Sequence, residues 1–111
     1  MLEESGIGEP FLRERIRLVP GRVEQTLADY AGGPIALLHI DLDLYEGYKA
    51  TLGTLYDKVA PGGFVLFDEY LDHLSVDKWP GPKRAITEFF GDDVAKIRHD
   101  PIADKYYWVK P

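Results

Sequence analysis

Ile35-Ala36-Leu37-Leu38-His39-Ile40-Asp41-Leu42-Asp43-Leu44-Tyr45 decides the fold of this chain, read together with Phe64-Val65-Leu66-Phe67-Asp68-Glu69-Tyr70. In each stretch a short apolar run ends in a pair of acidic residues. Apolar runs of this length, bounded by Gly or Pro, predict strands buried on both faces, the pattern of a parallel sheet. Ligands of open α/β sheets bind just beyond the carboxyl ends of such strands. The first strand delivers Asp41 and Asp43 to that edge, the second Asp68 and Glu69. Four carboxylates gathered there repel one another unless a cation neutralises them. A hard divalent ion with oxygen ligands suits such a set.

Between the two strands the period changes. Tyr48, Leu52, Leu55, Tyr56 and Val59 recur on one helical face, predicting a helix over 46–59 that Pro61-Gly62-Gly63 ends. Strand, helix and strand then form a βαβ unit with a right-handed crossover. Working outward, residues 1–10 are expected to be loose or part of a helix end, and 16–19 a short strand cut by Pro20-Gly21. Residues 22–30 are weakly helical, and Gly32-Gly33-Pro34 breaks the chain before the first acidic strand. Beyond the second strand, 71–82 reads as a loop and 83–90 as a helix burying Ala85, Ile86, Phe89 and Phe90, with Asp92-Asp93 closing it. Residues 94–98 and 106–109 predict an antiparallel edge hairpin turning at Asp100-Pro101.

Composition narrows the function. A chain of 111 residues is one small domain. Its net charge of −6 argues against a nucleic-acid partner, which requires a basic patch. With no cysteine there is no disulfide, thiolate metal site or cysteine nucleophile, which fits a reducing compartment. Met1-Leu2-Glu3-Glu4-Ser5 is acidic and lacks the apolar core of a signal peptide. No apolar run approaches the roughly 20 residues that span a bilayer. A cytoplasmic protein without a membrane partner is expected.

Each candidate residue also has a plainer reading. One of Asp41 and Asp43 would serve equally well as a cap on the following helix, the other as a solvated charge. Asp68-Glu69 weighs against that, because a buried strand has no propensity reason to end in two carboxylates. His39 is a core or crevice residue before it is a ligand. Tyr45 and Tyr70 either pack or border a pocket. Lys83 and Arg84 either meet anions or form a solvated face. Gly62-Gly63 follows a helix rather than opening one, so it is a turn and not a dinucleotide fingerprint. A D-x-D site for a metal-bound nucleotide diphosphate would need a basic or Gly-rich phosphate cradle, which the chain lacks.

Ile40-Asp41-Leu42-Asp43-Leu44-Tyr45-Glu46, Leu52 to Tyr56, Pro61-Gly62-Gly63, Asp68-Glu69-Tyr70 and Gly81-Pro82-Lys83-Arg84-Ala85-Ile86-Thr87-Glu88-Phe89 follow one another in an order and spacing that resemble the macrocin O-methyltransferase (TylF-type) family. The similarity runs over about residues 16–90, and joint occurrence makes it specific. It implies an S-adenosylmethionine-dependent methyltransferase with a Rossmann-like α/β fold. The sheet would be mostly parallel, closed by a C-terminal antiparallel hairpin and lacking the first two strands, in a single truncated domain over 1–111. The resemblance further implies Mg²⁺ held by Asp41, Asp68 and Glu69, with Asp43 as the base that removes a proton from a sugar hydroxyl. Glu69 stands where many family members carry Asp. The family's Gly-rich cofactor turn belongs to the strands before the matched segment, so no S-adenosylmethionine-binding residue is assigned. The acceptor is expected to be a small sugar-containing molecule. Without the preceding strands the 35–40 strand has an unpaired edge, a liability that proteins cover. Either the 16–19 strand or a second copy is expected to cover it, making a homodimer or strand-exchanged oligomer. The alternative is a non-catalytic methyltransferase-like module that acts by association.

Overall fold

A computed structural model describes residues 9–68, 70 and 80–111. Helix α1 (Glu9–Arg15) and the single turn α2 (Val23–Thr26) precede strand β1 (Ile35–Ile40). Helix α3 (Tyr45–Leu55), strand β2 (Val59–Phe67), helix α4 (Pro80–Phe90) and the strands β3 (Arg98–Asp100) and β4 (Lys105–Val109) follow. The four strands form one sheet in the order β1-β2-β4-β3. The β1–β2 pair is parallel, and β4 joins β2 and β3 antiparallel. The predicted βαβ unit and C-terminal hairpin are both present. No helix among the described residues is long and apolar enough to cross a membrane.

The strands are buried on one face rather than two. Leu38, Ile40, Val65 and Phe67 share a core with Tyr48, Leu52, Leu55, Ala85, Ile86 and Trp108. The register explains the sharing, since Leu38 lies opposite Val65 and Ile40 opposite Phe67. The alternate positions point away: Leu37 is 58% exposed and Phe64 46%. Both helices of the core, α3 and α4, pack on the same side, and no described element covers the other. Each fully buried Leu, Ile or Phe contributes about 1.5–3 kcal/mol by leaving water.

Helix α3 ends earlier than its apolar spacing predicts. A 3₁₀ turn, Tyr56–Lys58, follows Leu55, and Val59 already belongs to β2. Pro61-Gly62-Gly63 therefore bulges within the strand instead of stopping the helix. The register passes from Ile35↔Val59 to Leu37↔Phe64, so two steps along β1 face five along β2. Gly62 takes a φ of 82°, and a Cβ on Gly63 would lie 2.9 Å from the Ala60 carbonyl oxygen and 3.0 Å from that of Ala36. Only glycine tolerates both demands. The Lys110 ammonium ties the far side, donating to the carbonyls of Tyr56 at 3.0 Å and Val59 at 2.8 Å.

Helix α4 begins three residues before the predicted start, at Pro80, which suits a first turn because its missing N–H has no helical partner there. Phe89 is 39% exposed rather than buried, resting edge-on against Tyr56. Gly91, at φ 58°, ends the helix. A 3₁₀ segment, Gly91–Lys96, then occupies most of the predicted 94–98 strand, leaving β3 to begin at Arg98. Residues 16–19 form no strand, and Leu18 and Val19 are 85% and 61% exposed. With α1 reaching Arg15 and Pro20-Gly21 following, the run is too short to pair, so β1 remains the sheet's edge.

Candidate acidic site at the ends of β1 and β2

The Ile40 carbonyl fixes the geometry. It accepts the Asp68 backbone N–H at 3.0 Å and the buried Tyr48 hydroxyl at 3.0 Å. The first bond carries the parallel ladder one step past Phe67. The second anchors the end of β1 to helix α3. Asp41, next in the chain, and Asp68 thereby emerge side by side at the adjoining strand ends.

Two basic side chains face the Asp68 carboxylate. Lys105 Nζ lies 2.7 Å from Oδ1, and His39 Nε2 lies 3.9 Å from the same oxygen. The Lys105 hydrogen bond is the main cause that holds the Asp68 carboxyl below its ordinary range. Hydrogen bonding with Asp41 and the charges of Lys105 and His39 act in the same direction, against partial desolvation. His39 thus stands on the open sheet face beside the acidic pair, not in the core.

The helix-cap alternative for the D-x-D is not adopted. The residue capping α3 is Leu44, and no side chain caps that end. Because β1 ends at Ile40, its two-residue alternation does not extend to Asp43. Asp43 is exposed and lines a separate hollow of about 330 Å³ with Val23, Glu24, Leu42, Leu44 and Gly47. The structure therefore unites Asp41 with Asp68 and sets Asp43 on a neighbouring concavity. Glu69 and residues 71–79 of the predicted loop lie outside the described residues.

Nearby side chains bond to one another. The Tyr45 hydroxyl donates to Glu88, whose other carboxylate oxygen accepts from Arg84 Nε at 3.1 Å. Arg84 also lies over the Tyr45 ring, 4.3 Å from its centre. That hydrogen bond raises the Tyr45 pKa and lowers that of Glu88. The start of α4 is pressed against the start of α3, since a Cβ on Gly81 would lie 2.6 Å from the Tyr45 nitrogen. Tyr70 is buried, edge-on to Tyr106.

Sequence reasoning missed Lys105. In the β2–β4 register Phe67 lies opposite Tyr106, so one further step places Asp68 opposite Lys105. Only that register carries the signal.

Among the described residues no group of three or more His, Asp or Glu converges on one point. The Asp41–Asp68 pair nevertheless fits a hard ion such as Mg²⁺, which keeps several waters and binds through one or two carboxylates.

These features define a mixed α/β domain with a carboxylate pair at adjoining parallel strand ends. The chain belongs to the macrocin O-methyltransferase (TylF) family, whose model matches residues 10–100. It is 33% identical over 105 residues to demethyldecarbamoylnovobiocin O-methyltransferase of Streptomyces niveus, covering 90% of this chain and 36% of that enzyme. It is 37% identical over 60 residues to the 8-demethyl-8-(2,3-dimethoxy-alpha-L-rhamnosyl)-tetracenomycin-C 4'-O-methyltransferase of Streptomyces olivaceus, covering 54% of this chain and 23% of that one. Among solved structures, CalS11, a TDP-rhamnose 3'-O-methyltransferase, superposes with a TM-score of 0.69 at 35% identity, over 82% of this chain and 40% of that one. The O-methyltransferase NovP gives 0.65 at 33% identity, over 82% and 36%. The chain thus spans well under half the length of these relatives.

Proposed function

We propose that this chain forms the metal- and acceptor-binding part of a Mg²⁺-dependent, S-adenosylmethionine-dependent sugar O-methyltransferase of the cytoplasm. The observation that carries the reading is the juxtaposition of Asp41 and Asp68 at the β1 and β2 ends, in a chain whose relatives include rhamnose-directed O-methyltransferases.

Asp41, Asp68 and Glu69 would hold the ion, which supplies Lewis acidity that lowers the pKa of a bound sugar hydroxyl. Asp43, on the adjoining hollow, takes the hydroxyl proton as general base. S-adenosylmethionine, when bound, would supply the methyl group, its C–S bond breaking to a neutral thioether as the sugar oxygen forms the new C–O bond. Positioning of the oxygen in line with the C–S bond is the main contribution expected of the acidic site. No residue of this chain is assigned to S-adenosylmethionine.

A second reading rests on a different observation. The apolar sheet face carrying Leu37, Phe64, Leu66 and Tyr107, together with the open edge of β1, suits association with a second copy. A homodimer built there serves the enzyme, and it would be the whole function of a non-catalytic module.

Transfer of a radiolabelled methyl group from S-adenosylmethionine to a rhamnoside separates the two. The enzymatic reading predicts transfer that requires Mg²⁺, stops with EDTA, and falls at least 100-fold in Asp43→Asn. Transfer that proceeds equally with EDTA, or a folded chain that neither transfers label nor binds Mg²⁺, overturns that reading in favour of association.

A further inference from the structure

Among the described residues, Lys105 is the strong cation in direct contact with the proposed metal site. Its ammonium lies 2.7 Å from Asp68 Oδ1, a short charge-assisted hydrogen bond, and Asp41 ends the adjoining strand beside Asp68. The position is set by the fold. Lys105 opens β4 directly across from the residue that follows β2, so the antiparallel register delivers the ammonium to the acidic edge. The Asp68 backbone is held in turn by Ile40. Side-chain exposures of 37% for Lys105 and 28% for Asp68 leave the ammonium a path to solvent, and a lysine stem is long and flexible enough to take it.

A Mg²⁺ ion bonds carboxylate oxygen at about 2.0–2.1 Å. An ion bound to Asp68 and an ammonium kept at its present distance from the same oxygen would be two cations within a few ångströms of each other, with direct repulsion between them. Both are drawn to the negative charge of the same carboxylate. We propose that Lys105 is a tethered counter-ion that exchanges with the divalent metal: it neutralises the Asp41–Asp68 pair in the metal-free protein, leaves when the metal enters, and so sets the metal affinity of the site. This rests on the reading of Asp41 and Asp68 as metal ligands. The site would then bind metal weakly until a second event, such as arrival of a sugar diol that adds oxygen ligands, tips the exchange.

The test is Mn²⁺ titration followed by electron paramagnetic resonance of the free ion, on the wild type, Lys105→Met, Lys105→Gln and Lys105→Arg. Removing the ammonium is expected to tighten Mn²⁺ binding at least ten-fold in the Met and Gln variants, with Arg close to wild type. Equal or weaker binding in both neutral variants overturns the exchange while leaving the metal reading intact. Absence of binding in every protein overturns the metal reading and the exchange with it. A measurement on the wild type alone guards against a variant that fails to fold. The rate of Lys105 acetylation by an acylating reagent, read by peptide mass spectrometry, should rise several-fold on saturation with Mg²⁺. An unchanged rate at saturation contradicts release of the side chain.

Discussion

Tyr48 donates its hydroxyl to the Ile40 carbonyl over 3.0 Å, from a ring with no exposed surface. The bond joins the first turn of α3 to the last residue of β1, immediately before Asp41. Tyr48→Phe removes one buried hydrogen bond but leaves the Ile40 oxygen its Asp68 partner. A loss of about 0.5–1.5 kcal/mol in urea unfolding is expected. If the site depends on this anchor, Mn²⁺ affinity falls along with stability. A variant as stable as wild type would show that the bond contributes nothing.

The core rests on few side chains, so single truncations are severe. Ile86 is fully buried on α4, within the cluster that includes Ile40 and Phe67. Ile86→Ala should cost about 2–5 kcal/mol, a large share of the roughly 5–15 kcal/mol typical of a domain. Phe89→Ala, on the same helix but partly exposed, should cost clearly less. Comparison of the two urea midpoints checks the assignment of the buried face.

Acid should weaken the fold through Asp68. Its carboxyl is held below the ordinary value of about 4, first by the Lys105 hydrogen bond. A depressed folded pKa contributes stability that is present above the unfolded value and is lost as pH falls through the folded one. Asp68→Asn removes that contribution. The gap between wild-type and variant melting temperatures should therefore be widest near neutrality and close as pH drops below about 4. A gap independent of pH would contradict the ion pair.

The open sheet face predicts self-association. Leu37 and Phe64 lie on it beside an unpaired edge strand, within a groove of about 460 Å³. Sedimentation should show a dimer for the wild type and a monomer for Leu37→Lys/Phe64→Lys, because a charge on each protomer makes an apolar interface costly to desolvate. A monomeric wild type would contradict this use of the face.

How much was legible in the sequence follows from which signals are local. The apolar runs ending at Asp41 and Asp68 marked two adjoining strands, and the helical spacing of Tyr48, Leu52 and Leu55 marked the crossover, so the acidic edge could be placed. The end of α3 could not, because Tyr56 and Val59 continue the helical spacing although a 3₁₀ turn and a strand use them. Leu37 and Phe64 are as apolar as Leu38 and Val65, so nothing in the letters says that one set lacks a cover. Lys105 escaped notice because its role depends on the β2–β4 register, which pairs residues 37 positions apart. Asp43 was grouped with Asp41 by an alternation that ends when β1 ends.

If Asp41 and Asp68 together hold a divalent metal, titration of Mg²⁺ into the ¹⁵N-labelled chain should give saturable amide chemical shifts centred on residues 41 and 68. These shifts should be absent in Asp41→Asn and reversed by EDTA. Shifts elsewhere, or the same shifts in the folded variant, would contradict metal binding by this pair.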